Sequence, residues 1–171
     1  PKAANILKDA QIDIDLSANN FPFMSMQDCH IGGIPARIFR ISFTGELSFE
    51  INVHARHGLA LWTHLMKAGK AHDITPYGTE ALGVMRIEKG HAAGNELNGT
   101  TTALNLGMGR MVSTKKDSIG ATLSTRDGMN DPDALKLVGL RPVDHTKPVP
   151  AGSHIVTKGD PVDAAHDQGY V

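Results

Sequence analysis

Two runs of alternating apolar residues meet across a glycine. Phe39, Ile41 and Phe43 alternate before Thr44-Gly45-Glu46, and Leu47, Phe49, Ile51 and Val53 alternate after it. Period-two alternation is the mark of half-buried strands, so the segment predicts two antiparallel strands joined by a tight turn. Gly45 can take a positive φ without steric cost, which suits it to the bend. Glu46 then stands where the second strand begins, and a carboxylate there can accept two adjacent N–H donors from a flat heterocycle. On spacing alone, a solvated loop carboxylate is the other reading.

The pattern changes along the chain. Ala3 to Ala10 reads as a short helix, Met24 to Ile31 as a strand ending at Gly32-Gly33. From Arg56 the period becomes helical, with Leu59, Trp62, Leu65 and Met66 on one face and Gly69 as a stop. A second helix starts near Thr79 and closes at Gly90. This order predicts an α+β fold, an antiparallel sheet with helices on one face. Beyond Asn95 come short strands, Leu135 to Leu140 and His154 to Thr157, separated by Pro and Gly. They predict a small C-terminal β-barrel-like domain. The expected division is 1–120 for the α+β domain and 121–171 for the β domain, with the boundary between Gly120 and Leu135.

Composition narrows the partners. With 171 residues the chain can bury one good core or two small ones, and its net charge of −1 offers no basic excess to recruit nucleic acid or an anionic membrane. No apolar run approaches the ~20 residues that span a bilayer. Cys29 is the single cysteine, so an internal disulfide is impossible and a reducing cytoplasm is the expected location. Nine histidines raise the question of a metal. His54 and His57 are three apart, but the strand-to-helix break between them removes a shared face, and no cluster completes a ligand set, so no metal is expected. Gly107-Met108-Gly109 lacks the third glycine and preceding strand of a dinucleotide fingerprint.

Arg40-Ile-Ser-Phe43-Thr-Gly-Glu46-Leu-Ser-Phe-Glu50 resembles the signature of the aminomethyltransferase (glycine cleavage T-protein) family. Phe21-Pro22-Phe23-Met24, Gly33-Ile34-Pro35-Ala36-Arg37, Met85-Arg86-Ile87-Glu88-Lys89-Gly90 and Asp117-Ser118-Ile119-Gly120 fall in the family's order and approximate spacing. The wording from Gly78 to Gly90, with Leu106-Gly107-Met108, is similar to one branch, the C-terminal region of alpha subunits of heterotetrameric sarcosine oxidases.

The resemblance implies that Glu46 binds the pterin of tetrahydrofolate, with Phe43 beside it and Arg86 either near the ligand or bridging helix to sheet. The polar turn Asn98 to Thr102 matches the place where the family's chain crosses the folate channel. No catalytic residue is implied within this segment. In such an oxidase the one-carbon unit from oxidative demethylation of sarcosine is captured as 5,10-methylenetetrahydrofolate. FAD, FMN and NAD belong to the parent complex, the flavin on a beta subunit, with small subunits completing it. The alternatives are an aminomethyltransferase of the glycine cleavage type and a noncatalytic subunit-assembly module. Two positions depart from the family. Leu82 stands where the aminotransfer branch has Arg, and Phe43 where Tyr is usual, which keeps the ring but removes a hydroxyl. The family's N-terminal stretch, with an Asp near the reactive nitrogens of folate, lies upstream of Pro1, and Asp167 to Val171 resembles the start of a strand. Both features imply a fragment of a longer chain.

Overall fold

Alternating burial builds the first ninety residues. Strands β1 (Met26–Ile31) and β2 (Ile34–Phe39) pair antiparallel, Cys29 opposite Ala36 and Ile31 opposite Ile34. Those four side chains share one face, and Asp28, His30, Pro35 and Arg37 share the other, which is exposed. Gly32 and Gly33 make the two-residue turn between them, both at positive φ (56° and 78°). Primed hairpin turns require that conformation, and a Cβ resists it. A third strand, β3 (Glu50–Asn52), lies on the far edge of β2 with Ile51 opposite Ile38, giving the order β1-β2-β3.

Helices cover the apolar face. Helix α1 (Ala3–Asp9) buries Leu7, and α2 (Gly58–Gly69) buries Leu61 with Leu65 and Ala68 partly buried beside it. The i, i+4, i+7 spacing of those three residues makes one stripe. Together with Leu16, Phe21, Cys29, Ile31 and Ile38 they close one core. Phe21, Ile31 and Ile38 are fully buried, and burying a side chain of this size contributes ~1.5–3 kcal/mol. The rings of Phe21 and Phe49 lie nearly parallel with centroids 6.2 Å apart. The face expected for α2 is corrected at two positions: Leu59 and Trp62 are 80% and 55% exposed, because they lie about 200° and 100° round the helix from Leu61. Helix α3 (Thr79–Lys89) follows and ends at Gly90, as its pattern predicts. Gly78, not Thr79, occupies its N-cap.

The tight hairpin expected at Thr44-Gly45-Glu46 is also corrected. β2 stops at Phe39, whose last partner is Glu50, so a long loop, residues 40–49, joins β2 to β3. Arg40 turns the chain aside. Its amide donates to Ser25 O at 3.0 Å and its carbonyl accepts from Met24 N at 2.9 Å. Its Nη1 donates to Phe21 O and Leu16 O at 2.8 and 3.3 Å. Ile41, the next residue that would face β3, has its carbonyl taken by Ser48 Oγ at 2.9 Å instead of by a β3 amide.

The structure describes residues 2–113 and 115–171, and within them the chain packs as two compact units, 1–91 and 92–171. In the second unit of this computed structural model, α4 (Ile119–Ser124) opens at Ser118, whose Oγ accepts from Ala121 N at 3.3 Å. Strand β4 (His154–Val156) pairs antiparallel with β5 (Asp167–Tyr170). The strand expected at Leu135 to Leu140 does not form. Leu137 N donates to Asn105 O at 2.8 Å and Leu135 O accepts from Asn105 Nδ2 at 3.1 Å, so this segment is tied to one residue and not to a ladder. The fold is α+β with antiparallel sheets. Among the described residues, no helix is long and apolar enough to cross a membrane.

Candidate functional site

Side-chain bonds shape the loop that carries Glu46. Ser42 Oγ accepts from Gly45 N and Ser48 Oγ donates to Ile41 O, both at 2.9 Å. Gly45 sits at φ 86°, and a Cβ placed on it would lie 2.6 Å from Lys89 Cδ. The last residue of α3 therefore lies directly over the turn of the loop. Gly90, at φ 73°, reverses the chain after α3, and His91 N donates to Arg86 O at 2.8 Å. The His91 ring then meets Phe43, centroids 4.8 Å apart and planes tilted by 53°. Arg86 Nη1 donates to His91 O at 3.4 Å.

Phe43 and Arg86 are thus linked through His91. Reading the sequence missed both His91 and Lys89. The available signal was Gly90, because a glycine closing a helix fixes where the next side chain lands. Glu46 is exposed at the same loop, and among the described residues no hydrogen bond or ion pair engages its carboxylate. Phe43 is 40% exposed. The loop therefore presents an acceptor-only carboxylate and one accessible aromatic ring.

Other sequence candidates are engaged locally. Asn98 Oδ1 accepts from Thr100 N and Oγ1 at 2.9 and 2.7 Å, Thr101 Oγ1 donates to Glu96 O at 2.9 Å, and Thr102 Oγ1 donates to Asn105 Oδ1 at 2.7 Å. These threonine hydroxyls hold their own turn. Gly109 opens a 3₁₀ turn, Gly109–Met111, in place of the strand-to-helix passage that phosphate-binding glycines need. Among the described residues, no group of three or more His, Cys, Asp or Glu is placed to hold a metal ion.

Two cavities flank the sheet of the first unit. An apolar one of about 460 Å³ is lined by Ile6, Phe49, Trp62, Leu65, Met66 and Tyr77 among others. A polar one of about 680 Å³ opens beside Asp28, Arg37 and Arg56. Neither includes Glu46. Burial in the core raises the pKa of the Cys29 thiol, with Asp13 and Asp28 adding to the shift.

Comparison with known proteins agrees with the arrangement of these elements. Residues 1–116 match the GCVT N-terminal domain. The whole chain is 43% identical to sarcosine oxidase subunit alpha of Rhizobium meliloti and 99% of it is 38% identical to the protein of the same name from Corynebacterium sp. (strain U-96). It spans 18% and 17% of those two proteins. Over 84% of its length it is 33% identical to an aminomethyltransferase from Geobacillus sp. (strain WCH70), covering 40% of that protein. A domain match over more than half of the chain and relatives of this similarity lead to one conclusion: the chain belongs to the GCVT N-terminal domain family.

Proposed function

We propose that this chain is a segment of a sarcosine oxidase alpha subunit and supplies one side of a tetrahydrofolate site, with Glu46 as the pterin anchor. One observation carries the reading: in a chain of this family, the Glu46 carboxylate is exposed on its loop and no described residue engages it. An ionised carboxylate only accepts hydrogen bonds, and two parallel N–H donors on a ring edge match its two oxygens. Phe43, braced by His91, offers a face for ring contact. Arg86 acts through His91 O by fixing the segment that supports Phe43. These residues bind and orient; none of them is assigned a proton transfer.

When bound, tetrahydrofolate would take up the formaldehyde-level one-carbon unit that flavin-dependent oxidation of sarcosine releases, with loss of water, giving 5,10-methylenetetrahydrofolate. Among the described residues, Gly107-Met108-Gly109 leads into a 3₁₀ turn and not into the helix of a dinucleotide-binding fingerprint. On this reading the flavins belong to a beta subunit and to other parts of a cytoplasmic heterotetramer with small subunits. Residues beyond Gly120 to Leu135 begin a separate β domain of barrel type, for which the β4–β5 pair supplies the first two strands. The similarity to an aminomethyltransferase favours one alternative, a transferase acting on an aminomethyl-lipoyl donor.

The test is calorimetry with tetrahydrofolate on the full-length alpha subunit carrying Glu46→Gln. Losing a charged acceptor costs ~1.5–3 kcal/mol, or roughly 10–100-fold in affinity. Sarcosine oxidation without folate should be unchanged. Tight binding that survives the substitution eliminates the assignment, and turnover of an aminomethyl-lipoyl donor replaces oxidase with transferase.

A further inference from the structure

The polar cavity on the exposed face of the sheet holds more donors than the chain satisfies. Two carboxylates line it, and both are engaged. Asp28 accepts from Arg37 Nε and Nη2 at 2.8 and 3.2 Å. Asp13 accepts from His30 N at 2.7 Å and pairs with His30 Nδ1 at 2.9 Å. His54, Arg56 and His57, three donor side chains within four residues, also line the cavity. Arg56 Nε donates to His57 Nε2 at 3.1 Å, which places the His57 proton on Nδ1. Among the described residues no carboxylate pairs with Arg56, and no acidic residue lies in this turn or in the first turn of α2.

We infer that this cavity binds the oxyanion of a phosphate group, anchored by the Nη fork of Arg56 and completed by ring N–H groups of His54 and His57. Nothing in this inference depends on the folate reading, because Glu46 is not among the residues that line the cavity. The number of donors selects the ligand class. Four donors spread over one arginine and two imidazoles suit the three or four tetrahedrally arranged oxygens of a phosphate, whereas a carboxylate could take four bonds only in the plane of its two oxygens. The Asp28–Arg37 and Asp13–His30 pairs keep the neighbouring carboxylates from occupying the fork. The two Nη groups of Arg56 are left without a carboxylate among the described residues, and such a fork takes phosphate by two parallel bonds.

The test titrates the chain with inorganic phosphate at pH ~7, reading affinity by calorimetry and ring signals by nuclear magnetic resonance. His54 and His57 should shift while His72, His154 and His166 stay fixed. Arg56→Gln should weaken phosphate about tenfold or more, and Lys147→Gln, in the other unit, should not. Should R56Q fail to fold by circular dichroism, Arg56→Lys keeps the charge, removes the fork and should still weaken binding severalfold. Phenyl phosphate separates the sources: tighter binding than inorganic phosphate assigns an esterified ligand, weaker binding the free ion. Acetate binding as well as phosphate overturns the assignment. So does equal affinity in wild type and both Arg56 variants, or a uniform shift of all histidines, which is the behaviour of an adventitious ion only.

Discussion

Adding one methyl group at Gly32 tests how the first helix, the hairpin turn and α2 are held together. A Cβ on Gly32 would lie 2.9 Å from His64 Cδ2 and Cε1 and closer still to Nε2. His64 is not free to leave, since its Nε2 is hydrogen-bonded to Ala10 O at 2.9 Å, which ties α2 to the end of α1. Gly33, the next residue, also has positive φ but has nothing near its would-be Cβ. The two glycines therefore separate backbone strain from contact. Gly33→Ala should cost only the left-handed penalty of ~1–2 kcal/mol. Gly32→Ala should cost that amount plus the displaced His64 bond, ~0.5–1.5 kcal/mol, for a total of ~1.5–3.5 kcal/mol. In a His64→Ala background the obstruction is gone, and Gly32→Ala should return to the cost of Gly33→Ala. Urea unfolding followed by far-ultraviolet circular dichroism on the three single variants and the two doubles with His64→Ala gives the coupling directly. Equal costs for the two glycines in both backgrounds, within ~0.5 kcal/mol, would refute the claim that His64 fills the space under the turn.

Two further outcomes follow from the titratable groups. Asp28 is held below the ordinary aspartate value of 3.8 chiefly by its Arg37 hydrogen bond, and Asp13 chiefly by the His30 amide. Near that value the unfolded chain binds more protons than the folded one, so stability rises with pH there and is lost as pH falls from about 3.8 through the lower folded values. Acid titration by circular dichroism should show this loss, and Asp28→Asn should make it shallower; an unchanged acid limb would contradict the assignment. Cys29, 5% exposed and raised in pKa first by burial, should react with iodoacetamide at neutral pH only as fast as the protein opens. Alkylation that keeps pace with free cysteine would show the β1 face to be accessible.

Much of the sheet was legible because burial imposes period two on β1 and β2. Cys29, Ile31, Ala36 and Ile38 point to the core, and the residues between them are exposed, as alternation requires. The helix ends were legible from Gly69 and Gly90. The loop that carries Glu46 was harder. Phe39, Ile41 and Phe43 continue the alternation without a break, yet the ladder ends at Phe39. Alternation reports which way side chains point and carries no information on which backbone groups pair. Arg40 takes partners at Ser25, Met24, Phe21 and Leu16, and Ser42 and Ser48 supply side-chain bonds that compete with cross-strand ones. The polar residues between the alternating apolar ones therefore decided the loop.

The same reasoning explains why Leu135 to Leu140 does not form a strand although its composition suits one. A strand is stabilised by a neighbour that accepts its amides, and an isolated extended run leaves them to solvent. Leu137 N and Leu135 O find Asn105, one residue that satisfies one donor and one acceptor. Leu135, Val138 and Leu140 remain more than half exposed, so this stretch has the side chains of a buried strand without the sheet that would bury them. β4 has no stronger strand composition but forms, because β5 offers it a ladder from His154 to Val156. His154 adds a side-chain bond across that pair, Nδ1 to Asp167 Oδ2 at 2.7 Å. Strand formation here follows the availability of a partner more closely than it follows propensity. A single-chain reading of propensity therefore overpredicts strands wherever the partner segment is not encoded nearby.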